Sequence, residues 1–77
     1  MVAAYVLVSI EPGKNKPVVS SLRAMPDVKQ AHSCWGKPDI FAYVEVENES
    51  ALAQTVLTEI QGIAGVRDTE THIVVSL

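Results

Sequence analysis

The chain is short, apolar and acidic, and these properties limit what it can be. It has 77 residues, 48% of them hydrophobic, and a formal net charge of −3. This length predicts a single domain, residues 1–77. A lone core in a chain below roughly 70–80 residues rarely supplies more than about 3–5 kcal/mol of net stability. We therefore expect part of the apolar surface to pack against a second copy of the chain.

Charge and cysteine content argue against several functional classes. Phosphate binding needs clustered basic residues, whereas the six Lys and Arg residues are scattered along the sequence: Lys14, Lys16, Arg23, Lys29, Lys37 and Arg67. No run of about 18 apolar residues could span a membrane, and the first ten residues lack the basic region and cleavage site of a signal peptide. The single cysteine, Cys34, fits a reducing compartment. These features predict a cytoplasmic protein with no direct contact to nucleic acid or membrane.

The first half of the chain predicts a strand, a helix and a second strand. Val2 to Ile10 is apolar at odd and even positions alike, which is typical of a strand covered on both faces. Between Lys14 and Met25, apolar residues recur at helical spacing. Pro26-Asp27 ends this helix. Val28 to Trp35 then indicates a second, more polar strand.

The second half repeats the alternation of strand and helix. The turn Gly36-Lys37-Pro38-Asp39 leads into a third strand from Ile40 to Glu47. Asn48-Glu49-Ser50 offers capping side chains and acidic charge for the start of a helix. Its apolar stripe has a spacing of about four residues, and Gly62 is a suitable end. Val66 to Leu77 indicates a final strand.

The resulting order, β-α-β-β-α-β, is supported by an internal repeat. Ala4-Tyr5-Val6-Leu7-Val8 matches Ala42-Tyr43-Val44-Glu45-Val46, an offset of 38 residues from position 4 to position 42. Two similar β-α-β halves predict the ferredoxin-like fold of the α+β class, a four-stranded antiparallel sheet with two helices on one face. That fold places the first and third strands in the centre, and these are the two most apolar strands.

Two helices can cover only one face of such a sheet. The uncovered face carries either Tyr5, Leu7, Phe41 and Tyr43 or the opposite set of residues, because alternation alone does not decide between them. An exposed apolar face of that size marks an interaction surface. The sequence therefore predicts a homodimer that pairs through the sheet.

Two groups of polar residues are candidates for a ligand site. The turn from Gly36 to Asp39 is either a plain hairpin turn or a loop whose backbone groups and carboxylate bind a small polar ligand. Two threonines in the last strand lie two residues apart and share a face, which reflects either β-propensity or two hydroxyls directed at one ligand. The predicted ligand-binding residues are Gly36, Lys37, Asp39, Thr69 and Thr71.

Catalytic signatures are weak. Cys34 could pair with His32 or His72 as nucleophile and base, and the same three residues could approach a metal, but no tight ligand spacing is present. We therefore predict no enzyme, no metal and no cofactor. One alternative is a small dimeric ferredoxin-like enzyme, of the cofactor-free oxygenase or haem-degrading type, with His32, His72 or Trp35 lining a cleft. Another is a purely structural assembly domain.

Short fragments along essentially the whole chain share their order and spacing with a known family. They are Ala4-Tyr5-Val6-Leu7-Val8, Pro12-Gly13, Leu22, Met25-Pro26-Asp27-Val28, Gly36-x-x-Asp39, Val44-x-Val46, Gly65-Val66 and Thr69-x-Thr71. Together they resemble the effector-binding domain of the Lrp/AsnC family of transcription regulators, also called the RAM domain. The resemblance implies a ferredoxin-like domain that dimerises through its sheet, with dimers gathering into rings, commonly of four.

The resemblance also implies an amino-acid effector, bound at the contact between dimers. The family site maps onto Gly36 and Asp39, with Thr69 and Thr71 near it, although Pro38 stands where family members commonly carry an aromatic residue. Because the first predicted strand begins at Val2, the sequence contains no helix-turn-helix segment. This predicts a stand-alone effector domain that acts by co-assembly with full-length Lrp/AsnC-type regulators.

Overall fold

The strands and helices follow the predicted order. A computed structural model describes residues 1–77. Its elements are β1 (Val2–Ile10), α1 (Asn15–Arg23), β2 (Val28–Ser33), β3 (Ile40–Val46), α2 (Glu49–Ala53) with a π-helical continuation (Gln54–Ile60), and β4 (Val66–Ile73). The strands form one antiparallel sheet in the order β2-β3-β1-β4. The ferredoxin-like prediction is confirmed, with β1 and β3 central.

The core lies between the sheet and the helices and is mainly aliphatic. Alternate residues of β1 and β3 point into it, and α1 and the second helix add a stripe each; its largest fully buried apolar side chains are Val6, Val8, Val18, Leu22, Ile40, Val44 and Ile60. The structure thereby decides which face is open. Tyr5 remains 49% exposed and Phe41 40% exposed on the opposite face, where no helix lies.

The internal repeat has a structural counterpart in the middle of the open face. Tyr5 and Tyr43 are direct partners across β1 and β3, and their rings lie 5.0 Å apart between centroids with a 53° tilt. Tilted rings at this distance attract each other beyond simple area burial. Desolvation by the surrounding protein, and then the nearby Glu45 carboxylate, raises the pKa of the Tyr43 hydroxyl.

Three strands are shorter than predicted, and β3 is so by one residue, since it ends at Val46 and not at Glu47. β2 ends at Ser33. The Cys34 N–H still donates to the Asp39 carbonyl at 2.8 Å, but the Asp39 N–H donates to the Val8 carbonyl of β1 at 3.1 Å and not back to β2. β4 ends at Ile73 rather than Leu77. The last hydrogen bond between β4 and β1 runs from the Val74 N–H to the Ala3 carbonyl at 2.8 Å. β1 begins only one residue earlier, so almost no residue of β1 remains for β4 to pair with.

The second helix begins as predicted but continues differently. The Asn48 side chain accepts a hydrogen bond from the Ala51 N–H at 2.8 Å and caps the helix. After Ala53 the α-helix becomes π-helical up to Ile60, a change that hydrophobic spacing does not signal. Within this segment the buried Thr55 hydroxyl donates to the Asp27 carboxylate at 3.1 Å, so no polar group is left unpaired in the core.

Candidate ligand-binding site

The turn before β3 is fastened to the end of β1 by Asp39. Its backbone N–H donates to the Val8 carbonyl at 3.1 Å. Its carboxylate oxygen Oδ2 accepts a hydrogen bond from the Ile10 N–H at 3.0 Å. Asp39 therefore has a structural role as a clamp between the turn and β1. The second carboxylate oxygen, Oδ1, takes no part in this hydrogen bond.

The conformation of the turn depends on Gly36. Its φ of +105° lies in the region that side chains with a Cβ rarely adopt, while a Cβ built there would meet no atom within 4 Å. Backbone conformation rather than lack of space therefore favours glycine. The next residue, Lys37, is exposed, and the Lys37–Pro38 peptide bond is cis.

On the side of β1 that pairs with β4, an irregularity in β4 places two residues of opposite charge in one cleft. Ser9 lies opposite Asp68, and the next partner pair is Ile10 and Val66, so Arg67 is the extra residue of a β-bulge. Bulges change the direction in which neighbouring side chains project. Both Arg67 and Asp68 line the same cleft as a result.

This cleft straddles the end of β1 and is lined by several charged residues. It encloses about 550 Å³. Its nine lining residues include only one that is hydrophobic: Ser9, Ile10, Glu11, Pro12, Asn15, Lys37, Asp39, Arg67 and Asp68. We call it the charged cleft. A smaller cleft of about 230 Å³ shares some of its lining and is formed by Leu7, Ser9, Lys37, Pro38, Asp68, Thr69 and Glu70.

The five residues predicted to bind a ligand are only partly brought together. Lys37 and Asp39 line the charged cleft, and Lys37 and Thr69 line the smaller one. Gly36 shapes the turn but lines neither cleft. Thr71 lies elsewhere, in an apolar groove between the second helix and β4.

The threonine pair faces the helices rather than the open face. Thr69 and Thr71 lie opposite Val8 and Val6, which are core residues. The Thr69 hydroxyl already accepts a hydrogen bond from the Gln61 side chain at 2.8 Å. A hydroxyl keeps a donor hydrogen in that arrangement, so Thr69 can still donate to a ligand.

Sequence reasoning missed most of the charged residues in the cleft. Glu11, Arg67 and Asp68 were not singled out. Because β1 and β4 pair in antiparallel fashion, the end of β1 lies beside the start of β4. The charged residues near these two strand ends were the available sequence signal for the cleft. Their convergence on one cleft depends on the bulge, which the alternation pattern did not reveal.

The residues considered for catalysis do not converge. His32 is on β2 and His72 is on β4. These are the two outer strands, and three strand spacings separate them by about 14 Å. His72 lies 2.6 Å from the Glu70 carboxylate, while Cys34 and Trp35 are exposed.

No group of three or more His, Cys, Asp or Glu side chains is positioned to hold a metal. None of the helices has the length and apolar character needed to cross a membrane.

A family model described as the Lrp/AsnC ligand binding domain matches residues 3–77. This chain belongs to the Lrp/AsnC ligand-binding domain family. An uncharacterized HTH-type transcriptional regulator of Pyrococcus horikoshii is 34% identical over 76 residues, covering 99% of this chain. The chain spans about half of that relative, 48% of its length.

Solved structures of similar proteins have the same Lrp/AsnC-type fold. The crystal structure of FFRP-DM1 superposes with a TM-score of 0.93 at 32% identity, covering 97% of this chain and 100% of that one. The Neisseria meningitidis transcriptional regulator NMB0573, solved as an L-Met complex, superposes with a TM-score of 0.85 over 97% of this chain and 50% of that one. The latter is 23% identical, so it supports the shared fold alone.

Proposed function

We propose that this chain is the effector-binding and assembly module of a transcription-regulation system, and that its effector is an amino acid bound in the charged cleft. The observation that carries the proposal is the presence of carboxylates and cations in one cleft. An amino acid carries one charge of each sign on its main chain, and charge-assisted hydrogen bonds to both would fix its orientation. Membership of the Lrp/AsnC ligand-binding family supports a regulatory rather than a catalytic role.

Within the cleft, the turn before β3 can take both ends of the amino acid. Asp39 would accept the ammonium group through Oδ1, since Oδ2 is held by the Ile10 N–H. Lys37, which lines the same cleft, would bind the carboxylate. Each hydrogen bond to a charged group contributes about 1.5–3 kcal/mol. Thr69 borders the smaller cleft, but its hydroxyl is bonded to the Gln61 side chain on the helix side of the sheet, so its part in binding would be indirect.

The open face of the sheet supports the assembly part of the proposal. Tyr5, Leu7, Phe41 and Tyr43 lie there with no helix over them, and both Tyr5 and Phe41 are exposed by two fifths or more. Burying this face against the same face of a second copy would form a homodimer. Rings of four such dimers would place effectors between dimers and couple binding to assembly. Full-length Lrp/AsnC-type regulators are the proposed partners.

Direct DNA binding by this chain alone is not part of the proposal. The net charge is −3. The clefts beside α1 and β2 collect only Lys16, Arg23 and Lys29 with His32, too few cations for strong salt-resistant phosphate binding. A gel-shift experiment at physiological salt should show no discrete complex unless a helix-turn-helix partner is added.

Calorimetric titration of wild type and Asp39→Asn tests the site. We would first screen the twenty amino acids by thermal shift, since a ligand that binds only the native state raises its stability. Asp39→Asn retains an acceptor oxygen for the Ile10 N–H but loses the charge. It should keep the melting temperature and weaken binding roughly 10- to 150-fold.

Glu59→Gln is the matched control, because it removes one exposed carboxylate outside the charged cleft and should bind like wild type. Equal affinity of wild type and Asp39→Asn for every amino acid would remove Asp39 from the site. Absence of binding by any amino acid would favour a purely structural assembly domain.

A further inference from the structure

The charged cleft has more ionisable groups than an amino-acid main chain can use. If Asp39 binds the ammonium group and Lys37 the carboxylate, the remaining ionisable residues of the cleft are Glu11, Arg67 and Asp68. Two carboxylates and one guanidinium are therefore left to interact with the ligand side chain. We propose, on the basis of the function proposed above, that the effector is an amino acid with a positively charged side chain.

The remaining carboxylates are not neutralised within the chain. The one side-chain contact at salt-bridge distance joins His72 Nε2 and the Glu70 carboxylate, on the open-face side of β4. Neither Glu11 nor Asp68 has a Lys or Arg nitrogen within 4 Å. A cationic ligand would supply the charge that these two groups lack, and the gain would be largest where the ligand excludes water.

The lining also disfavours an apolar ligand side chain. Ile10 is the one hydrophobic residue among the nine that line the cleft. An aliphatic side chain would displace water from charged groups that it could not hydrogen-bond, which is unfavourable. An aliphatic amino acid should therefore bind less tightly than one whose side chain pairs with these groups.

The β-bulge is the structural element that creates this selectivity. Without the extra residue, Arg67 and Asp68 would project to opposite sides of β4, as consecutive strand residues do. In the bulge both line the cleft, with Asp68 opposite Ser9. Glu11 is held nearby, because its N–H donates to the Gly65 carbonyl at 2.8 Å just before β4 begins. The two carboxylates thus come from both sides of the β1–β4 pair.

Lysine and norleucine form the sharpest pair of probes. They share the main chain and a four-carbon side chain, and differ only in the terminal ammonium group. In calorimetric titration of the wild-type chain, lysine should bind about 10- to 100-fold more tightly than norleucine. Arginine should behave like lysine, and glutamate should bind more weakly than both.

Asp68→Asn links this preference to the cleft. The variant should reduce the ratio of lysine affinity to norleucine affinity by roughly tenfold, because it removes a carboxylate that would pair with the lysine ammonium group. Glu59→Gln, with the same loss of charge elsewhere, should leave the ratio as in wild type.

The outcomes distinguish this inference from the proposed function. Norleucine binding as tightly as lysine, or an unchanged ratio in Asp68→Asn, would overturn the side-chain preference and leave amino-acid binding intact. If neither probe nor any other amino acid binds, the proposed function fails, and the preference fails with it.

Discussion

The two faces of the sheet are built from the same strands but differ in what covers them. On β3, Ile40 is fully buried beneath the helices, while its neighbour Phe41 is 40% exposed on the open face. The covered face is aliphatic and closed by the chain itself. The open face is centred on the Tyr5–Tyr43 pair and has no cover within the chain. Packing within the chain therefore accounts for the apolar residues of the covered face and leaves those of the open face without a partner in this chain.

Truncation of the covered face should have the largest effect on folding. Ile40→Ala removes a buried side chain and leaves a cavity, so the free energy of unfolding should fall by about 2–5 kcal/mol. Urea denaturation followed by circular dichroism measures this change. Ile40→Val is the control and should lose only about 0.5–1.5 kcal/mol. If Ile40→Ala lowered the free energy of unfolding as little as Ile40→Val does, the helices would not seal this face.

A charge on the open face should act on association rather than on the core. In Phe41→Glu an uncompensated carboxylate would have to be buried for the sheets to pair, so the dimer dissociation constant should rise roughly a hundredfold or more. Analytical ultracentrifugation over a concentration series measures it. Phe41→Leu keeps the surface apolar and should remain dimeric. A wild-type chain that sediments as a stable monomer at micromolar concentration would contradict the proposed pairing.

The covering helices allow a finer test with a smaller effect. Asn48→Ala removes the side-chain oxygen that caps the second helix through the Ala51 N–H. The free energy of unfolding should drop by about 1 kcal/mol, with no change in dimer dissociation. Asn48→Asp retains an acceptor and should restore the wild-type value. If Asn48→Ala altered association as strongly as Phe41→Glu, the two faces would not be independent.

Several local features were predictable because they arise from neighbouring residues. The β1 range Val2–Ile10 was predicted to the residue, since Glu11-Pro12-Gly13 follows it and breaks the strand. The Asn48 cap and the positive φ of Gly36 follow from side-chain and backbone chemistry at single positions. The end of β4 was not predictable in this way, because it depends on where β1 begins as its partner.

Only the turn residues of the candidate site were predictable from the sequence. Lys37 and Asp39 belong to a recognisable turn, and the structure places both in the charged cleft. The binding role of these residues remains a proposal. Thr71 lies on the same face of β4 as Thr69 but lines a different groove. The charged cleft lies at the start of β4, and Thr71 is farther along the strand.

Sequence alone determined the order of elements, the two central apolar strands and the presence of more apolar surface than two helices can cover. These properties follow from periodicity and composition, which act over short stretches of chain. Tertiary structure decided which face of the sheet is open and which charges meet at the end of β1. Both depend on register between distant strands, where a shift of one residue moves every side chain to the other face. The bulge at Arg67 is such a shift, and it lets both Arg67 and Asp68 line the charged cleft.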